Sequence, residues 1–290
     1  ESGVQMILLV EDSIRFYSSI LPNLYSYILA QSKNLSKEAL NRHAATMRMR
    51  GRPKVMLARN YEEAMALYEK FHENTLGVIS DAAFPLGGKK DEEAGLKLLR
   101  EIRKRDEYLP LIMESSDTEN REKCAEEGFR FVDKNSKKMS VDLRHLMEEH
   151  MGFGDFIFRD PATHKVIMRI HSLKELQDNI FKIPNDSMLY HVSRNHISRW
   201  LCARAIFPVS EFLKNITWHK LQDVDAHRQI IFDAIVQYRH IKNVGVVADF
   251  DRMKFDTYAH FARIGEGSLG GKGRGLAFLD NIIKMHPEFN

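Results

Sequence analysis

Short apolar runs alternate with amphipathic stretches through the first half of the chain, residues 1–150. Four of these runs end at polar side chains: residues 7–10 before Glu11 and Asp12, 76–80 before Asp81, 111–114 before Ser115, and 129–133 before Lys134. A fifth run, residues 55–58, precedes Asn60, a candidate helix N-cap. Apolar residues at helical spacing follow the runs, so the pattern predicts an α/β domain with five parallel strands covered by helices on both faces.

One stretch is too long for this simple alternation. Residues 14–50 have a helical pattern and would form a helix about 55 Å long if unbroken. Pro22 predicts a kink, and Asn34 and Ser36 predict a stop followed by a new N-cap. We therefore expect a long helical insertion after the first strand. Packing of its second helix on its own domain is favoured over packing on another subunit.

The second half of the chain, residues 151–290, predicts mostly helices. Residues 156–158 and 166–168 flank Asp160-Pro161 and predict a short hairpin. Helices are predicted over residues 173–181, 187–205, 209–216 and 226–241. We divide the chain into an α/β domain (1–150), a mostly helical module (151–256) and a glycine-rich segment (257–290).

Composition narrows the functional classes. The chain has 290 residues and a formal charge of +3, from 43 Lys plus Arg against 40 Asp plus Glu, so its net charge does not predict a nucleic-acid partner. Two cysteines without metal-ligand spacing exclude a disulfide framework and favour a reducing cytoplasm. No apolar run has the 18 or more residues of a membrane span, so we expect no membrane partner.

Two motifs in the helical module give weaker signals. His191 and His196 lie five residues apart, about 140° around a continuous helix, so they predict packing or surface roles and no shared metal ion. Residues 193–201 resemble a DNA-reading helix, but no companion helix with a tight glycine turn precedes them. DNA binding is therefore kept only as a lesser alternative.

The carboxylates at the strand ends carry the main chemical signal. Glu11, Asp12 and Asp81 would meet at one edge of a parallel sheet, where open α/β sheets bind ligands. An oxygen-only group of this kind suits Mg²⁺, with the backbone carbonyl of Ala83 completing the ligand set. Lys134 would then pair with the oxygens of an incoming phosphoryl group.

These residues resemble the receiver domain of two-component response regulators, over roughly residues 4–150. The resemblance implies a flavodoxin-like, doubly wound sheet, a phosphoacceptor Asp81, a hydroxyl switch residue Ser115, the lysine Lys134 and a switch aromatic Phe131. It also implies Mg²⁺ and a sensor histidine kinase or small phosphodonor as partner. The insertion, the longer loop at residues 87–90 and Asn135 in place of a proline depart from the family pattern.

The glycine-rich segment carries a second resemblance. Residues 270–277, Gly-Gly-Lys-Gly-Arg-Gly-Leu-Ala, are similar to the start of the ATP-grasp nucleotide-binding domain of phosphoenolpyruvate synthases and pyruvate phosphate dikinases. By that resemblance Lys272 and the glycines Gly270, Gly271 and Gly273 would contact ATP phosphates before a helix that begins at Leu276. Neither a Walker A loop nor a dinucleotide fingerprint fits this segment.

The sequence thus predicts a phosphorelay receiver that regulates an attached phosphoenolpyruvate synthase-like enzyme, of which this chain is an N-terminal piece. We expect the piece itself to catalyse nothing beyond phosphorylation and dephosphorylation at Asp81. Ser115, Lys134 and Phe131 would carry the change to the surface that contacts the helical module. A passive docking or dimerisation module, including a homodimer, is the main alternative.

Overall fold

The computed structural model describes residues 3–37, 39–221, 223–252, 256–286 and 288. The predicted alternation of strands and helices in the first half is confirmed. Its elements are β1 (Met6–Val10), α1 (Ile14–Ser36), α2 (Arg42–Arg50), β2 (Lys54–Ala58), α3 (Tyr61–Phe71), β3 (Thr75–Asp81), β4 (Phe84–Leu86), β5 (Lys89–Asp91), α4 (Ala94–Arg105), β6 (Leu111–Ser115), α5 (Glu119–Glu126), β7 (Arg130–Asp133) and α6 (Met139–His150).

Five of these strands form one parallel sheet in the order β2-β1-β3-β6-β7. Numbered along the chain this is the 2-1-3-4-5 order of flavodoxin-like proteins, including receiver domains. The chain reverses its direction of winding between β1 and β3, and at such a point the carboxyl ends of the strands leave a crevice for ligands. The predicted fold class is therefore confirmed.

Side chains on β1 show how the sheet is covered on both faces. Met6, Leu8 and Val10 pack in a core with residues of α3, α4 and α5. Ile7 and Leu9 point the other way, into a core with residues of α1 and α6. Because successive side chains of a strand alternate between faces, a continuous apolar run is what a doubly covered strand requires.

Two helices lie between β1 and β2, but the second begins later than predicted. Its N-cap is Asn41 and not Ser36, since the Asn41 side chain accepts a 2.9 Å hydrogen bond from the backbone N–H of Ala44. Helix α1 runs through Pro22 without ending. Helix α2 has no buried residue and contributes little to either core.

The predicted loop after Asp81 is a short hairpin. Strands β4 and β5 pair in antiparallel fashion, with Leu86 opposite Lys89. Gly87 and Gly88 connect them with φ values of 60° and 79°, which is the left-handed backbone of a two-residue type I′ turn. Residues with a Cβ adopt this conformation at a cost, so the Gly-Gly pair allows the tight turn between β4 and β5.

The second half contains a hairpin followed by helices, as predicted. Its elements are β8 (Phe156–Arg159), β9 (Val166–Ile170), α7 (Leu173–Asn179), α8 (Asn185–Ser193), α9 (His196–Ala203), α10 (Phe207–Lys214), α11 (Val224–Asn243), β10 (Val247–Asp249), β11 (Phe261–Arg263) and α12 (Gly271–Met285). The single helix predicted over residues 187–205 is wrong. It is broken at Asn195, whose φ of 55° is left-handed, into α8 and α9.

The glycine-rich segment also differs from its prediction. Helix α12 begins at Gly271 and not at Leu276, so Lys272 lies in its first turn. Residues 258–263 make a poor strand by sequence, yet β11 pairs in parallel with β10 across the predicted boundary at residues 256 and 257. Residues 287, 289 and 290 of this segment lie outside the described part of the chain. The three-part division itself remains a prediction.

The second half contacts the amino ends of the strands. Phe207 of α10 lies against Gly3 and Gly51, which precede β1 and β2. Lys214 Nζ donates to the carbonyl of Glu73 before β3 at 2.8 Å, and Arg199 donates to the carbonyl of Tyr108 before β6 at 3.0 Å. At about 3.3 Å per residue, β3 spans about 20 Å from Thr75 to Asp81, so the contact at Glu73 lies at the other end of this strand from Asp81.

A close approach at Gly152 connects the two halves. Gly152 has a φ of +80°, and a Cβ there would lie 2.8 Å from the Cα atom of Trp200. The buried guanidinium of Arg204 donates to the carbonyls of Gly152 and Gly154, each at 2.8 Å. Trp200 Nε1 also donates to the Gly154 carbonyl, at 3.1 Å. Hydrogen bonds from Trp200 and Arg204 to these carbonyl groups thus fix the chain that follows α6.

Three histidines meet near this junction. The break at Asn195 brings Nδ1 of His191 within 3.0 Å of Nδ1 of His196, so the predicted 140° separation is wrong. Nε2 of His191 accepts from the backbone N–H of Arg159, which leaves the ring proton on Nδ1 and makes His196 the acceptor. Burial, followed by nearby arginines, lowers the pKa of His191 to about 4, and burial with Arg130 lowers that of His150 to about 4.

We expect Gly152→Ala to lower the free energy of unfolding by about 1–3 kcal/mol, because the substituted residue must hold a left-handed backbone beside Trp200. Gly275→Ala is the control, since a Cβ there would meet no atom within 4 Å and alanine favours a helix. Urea titrations of both variants measure the difference. Equal stability of the two would contradict the close contact at Gly152.

We expect acid to destabilise the protein through these histidines. Their folded pKa lies below the unfolded value, so the unfolded state binds more protons as the pH falls from about 6.5 towards 4. For His191 the loss is about 2 kcal/mol between pH 7 and pH 5. His191→Gln should flatten the pH dependence of unfolding. His145→Gln, at a side chain that is 73% exposed, should leave it unchanged.

Candidate functional site

The polar residues predicted to meet do so at the carboxyl edge of the sheet. Glu11 directly follows β1, Asp81 ends β3, Ser115 ends β6 and Lys134 directly follows β7. The register of the parallel strands aligns these ends, with Val10 opposite Ser80 and Ser115 opposite Asp133. The shared direction of the strands is therefore what collects side chains from four distant parts of the sequence.

Lys134 is the centre of the site. Its ammonium lies 2.5 Å from Oε2 of Glu11 and 2.8 Å from Oδ1 of Asp81. The side chains of Lys134 and Glu11 are 2% and 0% exposed, whereas that of Asp81 is 14% exposed. The ring centroid of Phe16, in the first turn of α1, lies 4.4 Å from the ammonium. The lysine is thus buried between two carboxylates and an aromatic face.

Burial and charge act in opposite directions on these groups. For Lys134, burial lowers the pKa, but Glu114, Asp81 and Glu11 together outweigh it and raise the pKa above its usual value. For Glu11, burial and the charge of Asp81 raise the pKa, against the opposing effect of Lys134. Lys134 is therefore held as a cation, and Glu11 depends on that cation to stay ionised.

Three carboxylates are close enough to hold one cation. Ligand oxygens of Glu11, Asp12 and Asp81 all lie within 4.8 Å of one another, and no other cluster of this kind occurs among the described His, Cys, Asp and Glu residues. An all-oxygen set with one buried and two partly exposed members fits Mg²⁺, which keeps several waters. The Ala83 carbonyl, two residues after Asp81, remains a predicted further ligand.

The two carboxylate oxygens of Asp81 have different surroundings. Oδ1 accepts from Lys134 and also from the backbone N–H of Ala82 at 2.8 Å. Oδ2 accepts no hydrogen bond from the residues that the structure describes. Helix α4 begins beside this carboxylate, where Gly95 donates to the Ala82 carbonyl at 2.9 Å. A Cβ at Gly95 would lie 2.2 Å from the Asp81 carbonyl, so only glycine fits there.

Ser115 lies at the same edge and is buried. Its hydroxyl oxygen accepts from the backbone N–H of Asp117 and from the amide of Asn120, both at 3.1 Å. Its carbonyl accepts from the backbone N–H of Lys134 at 3.0 Å. Because the hydroxyl oxygen already accepts two bonds, its own proton is available to donate. The switch role of Ser115 remains a prediction.

Phe131 is not part of this group. It packs on the core formed with α3, α4 and α5, and the guanidinium of Arg121 lies 4.9 Å from its ring centroid. Lys134 contacts Phe16 of α1, on the opposite face of the sheet. The predicted switch aromatic therefore packs on the other face of the sheet from the Phe16 ring that contacts the lysine, and its role in switching remains a prediction.

The sequence reasoning missed Glu114. This residue is opposite Asp81 in the register of β3 and β6, is fully buried, and neither carboxylate oxygen has a hydrogen-bond partner among the described residues. Burial, with added repulsion from Glu11 and Asp81 and partly offset by Lys134, raises its pKa to about 8. The signal was present as the one acidic residue inside an apolar run at residues 111–114.

The predicted nucleotide-binding residues lie in the second half, at the start of α12. Lys272 is in the first turn of α12, and Gly270 is its N-cap residue. A Cβ on Gly270 or Gly271 would meet no atom within 4 Å. The helix start is thus exposed, and contact with ATP phosphates remains a prediction.

Comparisons with known proteins give few matches. No protein-family model and no curated protein matches the chain. Among solved structures, a response regulator receiver domain protein from Clostridium thermocellum is similar, at 20% identity and a TM-score of 0.34. The match covers 50% of this chain and 91% of that one. The fold assignment depends on the strand order and pairing described above. None of the described helices is long and apolar enough to cross a membrane.

We expect Glu114→Met to raise the free energy of unfolding by about 1–3 kcal/mol at pH 7.5, because it removes an unpartnered buried polar group. The folded pKa of Glu114 lies above the unfolded value, so wild-type stability is lost as the pH rises from about 4.5 to about 8. The gain should therefore be larger at pH 7.5 than at pH 5.

Glu114→Gln separates charge from polarity in the same experiment. It should remove the pH-dependent part while leaving an unpartnered amide in place, so it should gain less than Glu114→Met. Urea unfolding at the two pH values measures both variants. A destabilised Glu114→Met would contradict the unpartnered burial of this carboxyl group.

Proposed function

We propose that the first half is a phosphoryl-accepting regulatory domain in which Asp81 is the residue modified. The observation that carries the proposal is the group formed by Glu11, Asp12, Asp81 and Lys134 at the carboxyl edge of the sheet. A cluster of carboxylates with a buried ammonium is suited to binding a divalent cation together with an anionic phosphoryl group. The strand order and the resemblance of the motifs agree with this proposal.

The proposed reaction is a displacement at phosphorus. Oδ2 of Asp81, which accepts no hydrogen bond from the described residues, attacks the phosphorus atom of a phosphohistidine or a small acyl phosphate. The new P–O bond forms an acyl phosphate on Asp81. The P–N or P–O bond to the donor breaks, and its electron pair leaves with the imidazole nitrogen or the carboxylate.

Each neighbour of Asp81 has a defined task in this proposal. Mg²⁺ held by Glu11, Asp12 and Asp81 would offset negative charge on the transferred group. Lys134 keeps one Asp81 oxygen fixed and presents its ammonium to the incoming oxygens. The Ser115 hydroxyl would donate to the product phosphoryl group and so register the modification.

In this proposal the signal has to cross the sheet. The helical module contacts the amino ends of β3 and β6, whereas Ser115 and Lys134 lie at the carboxyl ends of β6 and β7. Helix α6 connects the two ends, since it begins five residues after Lys134 and ends at His150, near the histidine pair. In our proposal, a change at Lys134 reaches the second half through a displacement of α6.

What receives the signal, and what donates the phosphoryl group, is a separate part of the proposal. An attached phosphoenolpyruvate synthase-like enzyme is suggested only by the eight residues 270–277, and a histidine kinase or small phosphodonor only by the receiver resemblance. A DNA-reading helix at residues 193–201 is not supported. Helix α9 has only eight residues, and Ile197, Ser198, Trp200 and Leu201 are buried in it.

We expect the protein to take up phosphate from acetyl phosphate in the presence of Mg²⁺ and to lose this ability in Asp81→Asn. Asp91→Asn, at a partly exposed aspartate on the neighbouring hairpin that pairs with Lys97, is the matched control and should react normally. Phosphoprotein gels and intact mass spectrometry measure the uptake. Unchanged uptake in Asp81→Asn would refute the assignment.

Mg²⁺ binding distinguishes this function from a passive docking module. Glu11→Gln and Asp12→Asn should each weaken Mg²⁺ affinity by roughly tenfold or more, as loss of groups at metal sites does. Isothermal titration calorimetry of the purified chain measures the affinity. Absence of carboxylate-dependent Mg²⁺ binding, together with no phosphate uptake, would favour the docking module.

A further inference from the structure

Although the net charge of the chain is small, residues 42–54 form a strongly basic segment. It contains four arginines, one lysine and one histidine, and no carboxylate: Arg42, His43, Arg48, Arg50, Arg52 and Lys54. The segment comprises α2 and the connection to β2.

Most of these cations face solvent. Arg42, Arg50 and Lys54 are exposed, and Arg52 is partly exposed. Arg42 and Arg50 lie eight residues apart, which places them about 80° apart around the helix and about 12 Å apart along its axis, on one exposed side of α2. Arg48 points elsewhere, because it donates to the Leu35 carbonyl at 2.8 Å.

One cation of the segment supports the end of the helix, since Arg52 donates to the Met49 carbonyl in the last turn of α2 at 2.9 Å. Helix α2 buries no residue, and within the described residues no salt bridge includes Arg42, Arg50, Arg52 or Lys54. The cations also repel one another, since burial and then the charge of Arg52 lower the pKa of Lys54. A helix that neither fills a core nor pairs its charges is expected to use them on an external anion.

The segment is nevertheless held firmly in place. At its start, the Asn41 side chain caps α2 and donates to the Val247 carbonyl at 3.2 Å, and the Leu40 carbonyl accepts from Asp249 at 2.8 Å. In its middle, Gly51 lies against Ala205 and Phe207. Contacts with both halves of the chain therefore hold the segment, and the cations on it, in a fixed position.

We propose that residues 42–54 bind the phosphate backbone of a nucleic acid. A phosphate backbone can be bound by cations alone, whereas a stable protein partner needs apolar or aromatic anchors that become buried. Met47 is the one large apolar side chain of α2 that is well exposed, at 52%. The 12 Å between Arg42 and Arg50 is about the width of the major groove, so the pair can reach phosphates on both of its sides.

The binding is independent of base sequence and of the Asp81 site. Between Arg42 and Arg50, the exposed face of α2 offers only His43, Thr46 and Met47 to base edges. The segment precedes β2 and therefore lies at the amino edge of the sheet, where Gly51 contacts the second half, whereas Asp81 lies at the carboxyl edge. Loss of phosphorylation in Asp81→Asn should therefore leave this binding unchanged.

Fluorescence anisotropy of the full chain with a short labelled duplex, over a salt series, tests the proposal. Four phosphate contacts predict a slope of log K against log salt of about −3.6, so affinity should fall roughly 100-fold between about 50 and about 200 mM salt. No binding at the lowest salt concentration, or a slope near zero, would overturn the proposal.

Matched variants locate the site. Arg42→Gln, Arg50→Gln, Arg52→Gln and Lys54→Gln in one chain should abolish the salt-dependent binding. Neutralising four exposed cations of the second half, Lys165, Arg169, Lys182 and Lys220, should leave most of it. Arg42→Lys, Arg50→Lys and Arg52→Lys, which keep the charge, should retain binding and thus exclude a folding defect as the cause. Equal loss in the two quadruple variants would overturn the assignment.

Competition by a glutamate homopolymer tests the alternative that the segment binds an acidic protein. It should compete with the duplex only weakly, because flexible carboxylates do not match the charge density of a phosphate backbone. Competition as strong as that of unlabelled duplex would overturn the nucleic-acid assignment in favour of an acidic protein. Circular dichroism and thermal melting of every variant check that the fold is intact.

Discussion

The buried ammonium of Lys134 is the interaction on which the functional edge of the sheet depends. Without it, Glu11 and Asp81 would repel each other in a poorly solvated environment, and burial would push Glu11 towards its neutral form. With it, two carboxylates from strands far apart in sequence stay close together. Phe16 completes the enclosure from α1, so the helix that follows β1 also belongs to the site.

The same edge carries an electrostatic cost. Glu114 adds a carboxyl group that has no partner among the described residues, directly opposite Asp81 in the sheet. A core built only for stability would place an apolar residue there, since the three residues of β6 before Glu114 are all apolar. Buried polar groups without hydrogen-bond partners occur typically at functional sites. Glu114 is such a group, and it lies beside the carboxylates that the strand-end pattern of the sequence had already selected.

The two edges of the sheet differ in what they contact. Charged side chains collect at the carboxyl edge, whereas the amino edge is covered by the helical module through Gly51, Glu73 and Tyr108. Any coupling must cross the sheet, and α6 extends from one edge to the other. The junction at its end contains neutral, buried histidines and the tightly packed Gly152, a small and well-defined contact that a helix displacement would disturb.

The sequence by itself determined the alternation of strands and helices and the residues at the strand ends, because apolar periodicity and direction of pairing are local rules. It therefore identified Glu11, Asp81, Ser115 and Lys134. Only the tertiary structure revealed the burial of Glu114, the position of Phe131 across the sheet, and the contact of His191 with His196. The last depends on one left-handed residue, Asn195, whose conformation is imposed by the packing of α8 and α9. Distances between side chains on different elements follow from packing, which no local pattern encodes.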